Sequence, residues 1–273
     1  MKVYVCALAK NEHLYINEWV GHYLKLGVDK IFIYDNDDKN SPNIKDYISK
    51  EYLDKCKIIN ARGLHWNGIQ HTFYTNFYNV EKNNFDWCLY CDIDEFLTGI
   101  DNIKDFLSNP KYKNFDQVRI KWKLFGDDNQ IERDMNKPIM ECFTNVLTKS
   151  LTMDLKRPAT LQRQGKTIIK GHLDNVVFNS VHFASYKNAQ RIRTSCLPSG
   201  TKCFSGVAID EDYSKETVFL NHYMTKSLSE FINQKMNRTD AVFGDRKLKL
   251  NYYWRINEKT PEKLAYLKSM GLE

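Results

Sequence analysis

The sequence predicts an α/β fold: a mainly parallel, Rossmann-like sheet flanked by helices, with further helices at the C-terminus. Three observations predict it. Strand-length apolar runs alternate with segments of helical period over roughly the first ninety residues. Polar clusters follow the first, second and fourth runs directly, at the strand ends where open parallel sheets bind their ligands. The chain has 273 residues, 42% hydrophobic and 27% charged, which is material for one large core or two small ones.

The elements follow in order. Residues 2–8 are a short apolar run of β type, and Asn11 is placed to cap a helix. Ile16, Trp19, Val20, Tyr23 and Leu24 have helical spacing, and Gly27 ends that helix. A second strand covers residues 30–34 and runs into Asp35, Asn36, Asp37 and Asp38. Ser41 and Pro42 read as an N-cap with proline at the first helical position, and Ile44, Tyr47 and Ile48 form the inner face behind them. A third strand is expected at 57–61, a third helix over about 70–82, and a fourth strand at 87–91 that leads into Asp92-Ile93-Asp94-Glu95. Farther on the pattern weakens. Residues 118–122 alternate as a strand and reach a turn at Phe125-Gly126-Asp127-Asp128. Pro138 opens a helix carrying Glu141 in its first turn. Short strands are expected around Ile168, Val176 and Val181, and helices over 227–238 and 262–270. The expected division is 1–125 for one half of the domain, 126–220 for a second half and 221–273 for a helical segment.

Gly (12) and Pro (6) are scarce, against a disordered or linker-rich chain. No run approaches the ~18 apolar residues of a membrane span, and the start lacks the pattern of a secretory leader. Seven dispersed cysteines predict reduced thiols and a cytoplasmic location. Cys88 and Cys91 are three apart on a strand, so they face opposite ways and read as core thiols rather than half a zinc site.

The net charge of +6 is uneven. Residues 149–206 hold Lys149, Lys156, Arg157, Arg163, Lys166, Lys170, Lys187, Arg191, Arg193 and Lys202 against Asp154 and Asp174. Such a segment suits a phosphate-bearing ligand, an anionic membrane surface or nucleic acid, or is simply a solvated basic face.

No G-x-G-x-x-G follows the first strand and no P-loop occurs anywhere, so a glycine phosphate cradle is excluded. A site with acids but no cradle neutralises phosphate most simply with a divalent metal. Asp92-x-Asp94 offers two carboxylates on one face of an extended chain, oxygen donors of the kind Mg²⁺ or Mn²⁺ takes.

The run Asp86-Trp87 … Asp92-Ile93-Asp94-Glu95-Phe96-Leu97 resembles the signature of GT-A glycosyltransferases related to families 2 and 92. Several other stretches are similar to the same group: Ala9-Lys10-Asn11-Glu12 with Glu18-Trp19 and His22-Tyr23, then Tyr34-Asp35-Asn36-Asp37, Trp122 … Phe125-Gly126, and Asn221-His222-Tyr223 … Thr225-Lys226-Ser227 … Phe231 … Lys235. Asp127 and Asp128 depart from the small residues expected after Phe125-Gly126.

The resemblance implies transfer of a sugar from a nucleotide-sugar, most often a UDP-sugar, to a hydroxyl of a glycan or lipid-linked acceptor, with 1–125 as the nucleotide-sugar-binding half and 126–220 as the acceptor-binding half. The Lys-, Asn- and Tyr-rich residue usage would fit surface polysaccharide synthesis. It implies that Asp92, Asp94 and His222 hold Mn²⁺ or Mg²⁺. Lys226 would face the leaving diphosphate, with Asp92 also at the donor. Lys10, Glu12, Asp35 and Gln70 would line the donor pocket. Inversion needs a carboxylate base: the candidates are Asp127, Asp128, Glu132 and Glu141, with Glu141 and Asp128 foremost. The basic segment would meet anionic lipid or a phosphorylated acceptor. The rival classes are a non-catalytic nucleotide- or sugar-binding relative, a pyrophosphorylase, a phosphohydrolase and a nucleic-acid binder. The last has no RNP, KH or zinc-finger pattern behind it, and no nucleic-acid partner is expected.

Overall fold

The computed structural model describes residues 1–148, 152–154, 157–160, 163–187, 194–203, 214–236, 238–240 and 244–272. The first part runs β1 (Val3–Ala9), α1 (Ile16–Lys25), β2 (Lys30–Asp35), β3 (Cys56–Asn60), α2 (Ile69–Glu81), β4 (Trp87–Tyr90), β5 (Glu95–Thr98), α3 (Ile103–Leu107), β6 (Gln117–Leu124) and α4 (Ile139–Cys142). A hairpin of β7 (Thr152–Asp154) and β8 (Arg157–Thr160) precedes β9 (Gly165–Lys170). Short strands follow: β10 (Val176–Val177), β11 (Ser185–Tyr186), β12 (Ser195–Cys196), β13 (Lys202–Cys203) and β14 (Phe219–His222). The end holds α5 (Leu228–Glu230), β15 (Thr239–Asp240), β16 (Gly244–Lys247), α6 (Leu250–Ile256) and α7 (Pro261–Ser269).

The expected α/β architecture is present. The main sheet has the order β13-β12-β6-β9-β4-β1-β2-β3, and β14 joins β6 to β5. β1 pairs in parallel with β2 and β4, and β2 with β3. β9 runs antiparallel between β4 and β6. Alternation along β1 divides the core. Val3, Val5, Ala7 and Ala9 join Trp19, Val20 and Tyr23 of α1 on one face. Tyr4, Cys6 and Leu8 join Tyr74, Phe77 and Tyr78 of α2 on the other. Gly165 is required where β9 meets β6, since a Cβ there would stand 1.9 Å from the carbonyl oxygen of Ile120.

Several expectations are corrected. The helix behind Ser41-Pro42 is two 3₁₀ turns, Ile44–Tyr47 and Lys50–Lys55, and Asn43 is the cap in place of Ser41, its side chain accepting from the Lys45 amide. Extended Ser49 separates the two turns, so neither grows into an α-helix. Residues 181–183 form no strand. The helix expected over 227–238 begins with a capping box between Ser227 and Glu230. It then widens into a π-turn over Phe231–Lys235, and extended Met236 stops it. None of the seven cysteines is in a disulfide, and among the described residues no helix is long and apolar enough to cross a membrane.

Candidate functional site

The turn after β4 is held from α1. Trp19 Nε1 donates to the carbonyl oxygens of Asp92 (3.1 Å) and Glu95 (3.0 Å), and Tyr23 Oη donates to that of Glu95 (3.0 Å). The Asp92 amide donates to Glu95 Oε2 at 3.0 Å. The apolar stripe of α1 thus carries two polar tips that fix where Asp92 and Asp94 stand.

Each of these acids meets a buried lysine. Asp92 Oδ1 accepts from Gln70 Nε2 of α2 at 2.8 Å, and Oδ2 from Lys166 Nζ of β9 at 2.7 Å. Asp94 Oδ2 accepts from Lys235 at the end of the π-turn, and Oδ1 lies 3.5 Å from His222 Nε2 of β14. Burial alone would raise both carboxyls, but the facing cations outweigh it: Lys166 holds Asp92 below the usual carboxylate range, and Lys235 with His222 holds Asp94 well below it. Glu95 goes the other way. It is fully buried, and burial together with repulsion from Asp92 and Asp94 pushes it well up, against the pull of Lys166. Among the described residues its Oε1 and His222 Nδ1 are buried without a hydrogen bond, and they stand 3.9 Å apart. The Trp122 ring packs 4.5 Å from the His222 ring.

A second ionic group adjoins the first. Glu12, in the β1–α1 loop, faces Lys226 Nζ at 3.3 Å and Arg238 at 2.8 Å. Lys226 lies 3.5 Å over the Tyr15 ring and takes a left-handed backbone, φ 58°. Burial lowers its pKa, and Lys235 nearby lowers it further, partly offset by Glu12. Lys10 donates to Thr239 Oγ1 at 2.8 Å.

The structure therefore brings Gln70, Asp92, Asp94 and His222 into one chain of contacts through Lys166 and Glu95. Glu12 and Lys226 form a second group whose charge is felt at Asp94, with Lys10 beside the second through Arg238, which also donates to the Lys10 carbonyl. Asp35 stands apart from these contacts. It is buried at the end of β2 and accepts from the Asp37 and Ile44 amides, bracing its own loop.

The base candidates separate. Asp127 is buried in an ion pair with Lys263 and accepts from Tyr253, so it is a structural anchor. Asp128 uses Oδ2 to accept from the Thr144 and Asn145 amides at 2.7 and 3.1 Å. Glu132 is exposed. Glu141 is exposed on four-residue α4, and its carboxylate makes no hydrogen bond among the described residues. The helix start is tied to α1 by Glu18, which accepts from the Ile139 amide at 2.8 Å.

Two carboxylates and an imidazole whose Nε2 faces Asp94 are donor types that fit Mg²⁺ or Mn²⁺. Among the described residues no three His, Cys, Asp or Glu groups stand together as a ready cage, and Lys235 occupies one Asp94 oxygen.

Lys166, Lys235 and Arg238 are given no role in the sequence reading, where Lys166 counts only toward a basic segment and Lys235 only as the last residue of a stretch similar to the family. Lys166 is buried, and Lys170 donates to the Tyr112 and Lys113 carbonyls, so neither belongs to a solvated face. Arg163, Lys187 and Lys202 are exposed. Lys149, Lys156, Arg191 and Arg193 lie outside the described residues, and of Arg157 only the backbone is described.

No family model matches the chain. A glycosyltransferase family 92 protein of Ricinus communis is 23% identical over 184 residues, which is 65% of this chain and 30% of the relative. The chain resembles glycosyltransferase family 92. A second protein of that family, from Oryza sativa subsp. japonica, is 27% identical over 126 residues, covering 45% of this chain and 21% of the relative. The chain thus spans less than a third of the length of either relative. Among solved structures, TarS of S. aureus overlaps 45% of this chain and 22% of its own at 18% identity, with a TM-score of 0.33. The galactosyltransferase LgtC, in complex with donor and acceptor sugar analogs, overlaps 43% and 46% at 14% identity, with a TM-score of 0.26. Likenesses this slight carry no argument about function.

Proposed function

We propose that the chain is a metal-dependent glycosyltransferase that moves a sugar from a nucleotide-sugar, a UDP-sugar first, to a hydroxyl of a glycan or glycolipid. The observation that carries this reading is the meeting of Asp92 and Asp94 with His222, Lys226 and Lys235 beyond the carboxyl end of β4, in a chain similar to family 92 proteins. Mn²⁺ or Mg²⁺, held by Asp92, Asp94 and His222, would neutralise the donor's diphosphate. Lys226 would face the departing diphosphate, a preorganised charge set where negative charge develops. Gln70 would orient Asp92, and Lys10, Glu12 and Asp35 would border the nucleoside. For transfer with inversion we assign the proton to Glu141, whose carboxylate is uncommitted, with Asp128 second because one of its oxygens already holds a loop.

Exposed Arg163, Lys187 and Lys202 support a peripheral contact with anionic lipid on the cytoplasmic face, in the setting of surface polysaccharide synthesis. Sedimentation with anionic vesicles at low but not high salt checks this part; no sedimentation at low salt removes it.

The central test is a thermal-shift panel of UDP, GDP, CMP and CDP with and without Mn²⁺. A nucleotide at a hundred times its dissociation constant adds about 2.7 kcal/mol. One nucleotide shifting the wild type only with Mn²⁺, and not Asp94→Ala, is the expected result. No shift with any nucleotide overturns the reading.

A further inference from the structure

We propose that Lys235 is a resident counter-ion which a divalent cation displaces from Asp94, so that cation entry frees an ammonium group for the donor's phosphates. This rests on the reading of the site as one for a nucleotide-sugar.

Among the described residues the Lys235 ammonium touches two acceptors, Asp94 Oδ2 and the Met224 carbonyl. The side chains of Lys235 and Asp94 are 7% and 6% exposed, so water neutralises neither charge: the ammonium depends on Asp94, and the carboxylate on Lys235 first and His222 second. A cation on Asp94 would set two positive charges against the same carboxylate, with Lys226 already close enough to repel Lys235. The ammonium must then move.

The backbone gives it somewhere to move from. Lys235 ends the π-turn over Phe231–Lys235, and the chain passes at once to extended Met236. A π-turn is wider than an α-turn and recurs at functional sites. The same stretch carries Arg238, which is already paired with Glu12. An ammonium released from Asp94 therefore remains among Lys226 and Arg238, whose single carboxylate partner among the described residues, Glu12, is already shared between them, so a diphosphate would supply the negative charge that three cations lack.

The experiment titrates the full chain with Mn²⁺ alone, reading free Mn²⁺ by electron paramagnetic resonance. Lys235→Met is expected to bind Mn²⁺ about tenfold more tightly than the wild type, and Lys235→Arg, which keeps the competing charge, about equally. With Mn²⁺ saturating, Lys235→Met is expected to bind UDP at least about tenfold more weakly. That opposite movement is not what a merely structural lysine gives. Where Lys235→Met fails to fold, Lys235→Gln takes its place. The wild type supplies a separate measurement: acylation of Lys235, followed by mass spectrometry, rises when Mn²⁺ is added. Equal or weaker Mn²⁺ binding by Lys235→Met or Lys235→Gln overturns the exchange, as does no Mn²⁺ binding by any form or acylation unmoved by Mn²⁺. A wild type that binds UDP with Mn²⁺, beside a variant of unchanged Mn²⁺ affinity, sinks the exchange and leaves the functional reading standing. Tighter Mn²⁺ binding in the variant, with no nucleotide bound by any form, keeps Lys235 as competitor and sinks the functional reading instead.

Discussion

Lys166 Nζ lies 2.7 Å from Asp92 Oδ2, joining the beginning of β9 to the turn that ends β4 across 74 positions of sequence. The lysine side chain is 1% exposed and the aspartate side chain 33%. Removing the lysine strands Asp92 beside Asp94 and the buried Glu95. Lys166→Met is expected to lower stability by about 1–3 kcal/mol, less than for a fully buried pair because water reaches Asp92. Asp92→Asn in the same background should restore part of the loss. Urea melts of the four forms measure the coupling, expected to be at least about 1 kcal/mol; strict additivity would show that the contact contributes nothing.

Stability should also fall in acid through His182. Burial and the nearby Lys166 press its pKa down from 6.5 to about 3, and its Nδ1–H donates to the Gly165 carbonyl at 2.9 Å. The folded pKa is below the unfolded value, so the contribution is present above about 6.5 and fades as pH drops toward about 3. His182→Gln should flatten the decline of Tm over that window. The expected difference is about 1–2 kcal/mol, discounted because the residue is half-buried. A variant with the same slope as the wild type would show that another group drives the decline.

The three carboxyls near the β6 turn should respond differently to loss of charge. Glu141→Gln is expected to lower turnover at least about 100-fold while Mn²⁺-dependent nucleotide binding stays unchanged. Asp128→Asn is expected to keep most activity. Asp127→Asn should melt early, by about 2–4 kcal/mol, because it uncovers Lys263 in a buried pair. Full transfer by Glu141→Gln, read with the donor found in the nucleotide panel, removes Glu141 as the base.

Much of this arrangement was legible in the amino-acid order, and the rest had a definite reason to be hidden. β1 to β4, α1 and α2 announce themselves because each carries its own apolar period, and Asp92 and Asp94 because they follow a strand directly. β5 and β14 are hidden: each is four residues long, β5 pairs with β14, and β14 is held between β5 and β6. The cations are hidden more deeply. Lys235 meets Asp94 across 141 positions and Arg238 meets Glu12 across 226, and no local pattern encodes such a partner. The segment around Lys166 reads as charge without a target until β9 is known to lie beside β4. The π-turn is concealed by a sequence that continues to look helical past Lys235.

The reversal of β9 has a consequence for how this protein can diversify. In a wholly parallel sheet, residues near a strand's beginning lie at the far edge from the ligand. Here one strand enters backwards, so a residue near its beginning shares the edge where its parallel neighbours finish. Lys166 is held there by register with Ile120 on one side, and β9 is fixed by Cys88 and Leu89 on the other. The described part of the stretch between Leu124 and Gly165 is anchored elsewhere too, by Asp127 on Lys263 and by the Ile139 amide on Glu18. A change of length within that stretch would therefore strain those anchors before it reached the register that keeps Lys166 at Asp92.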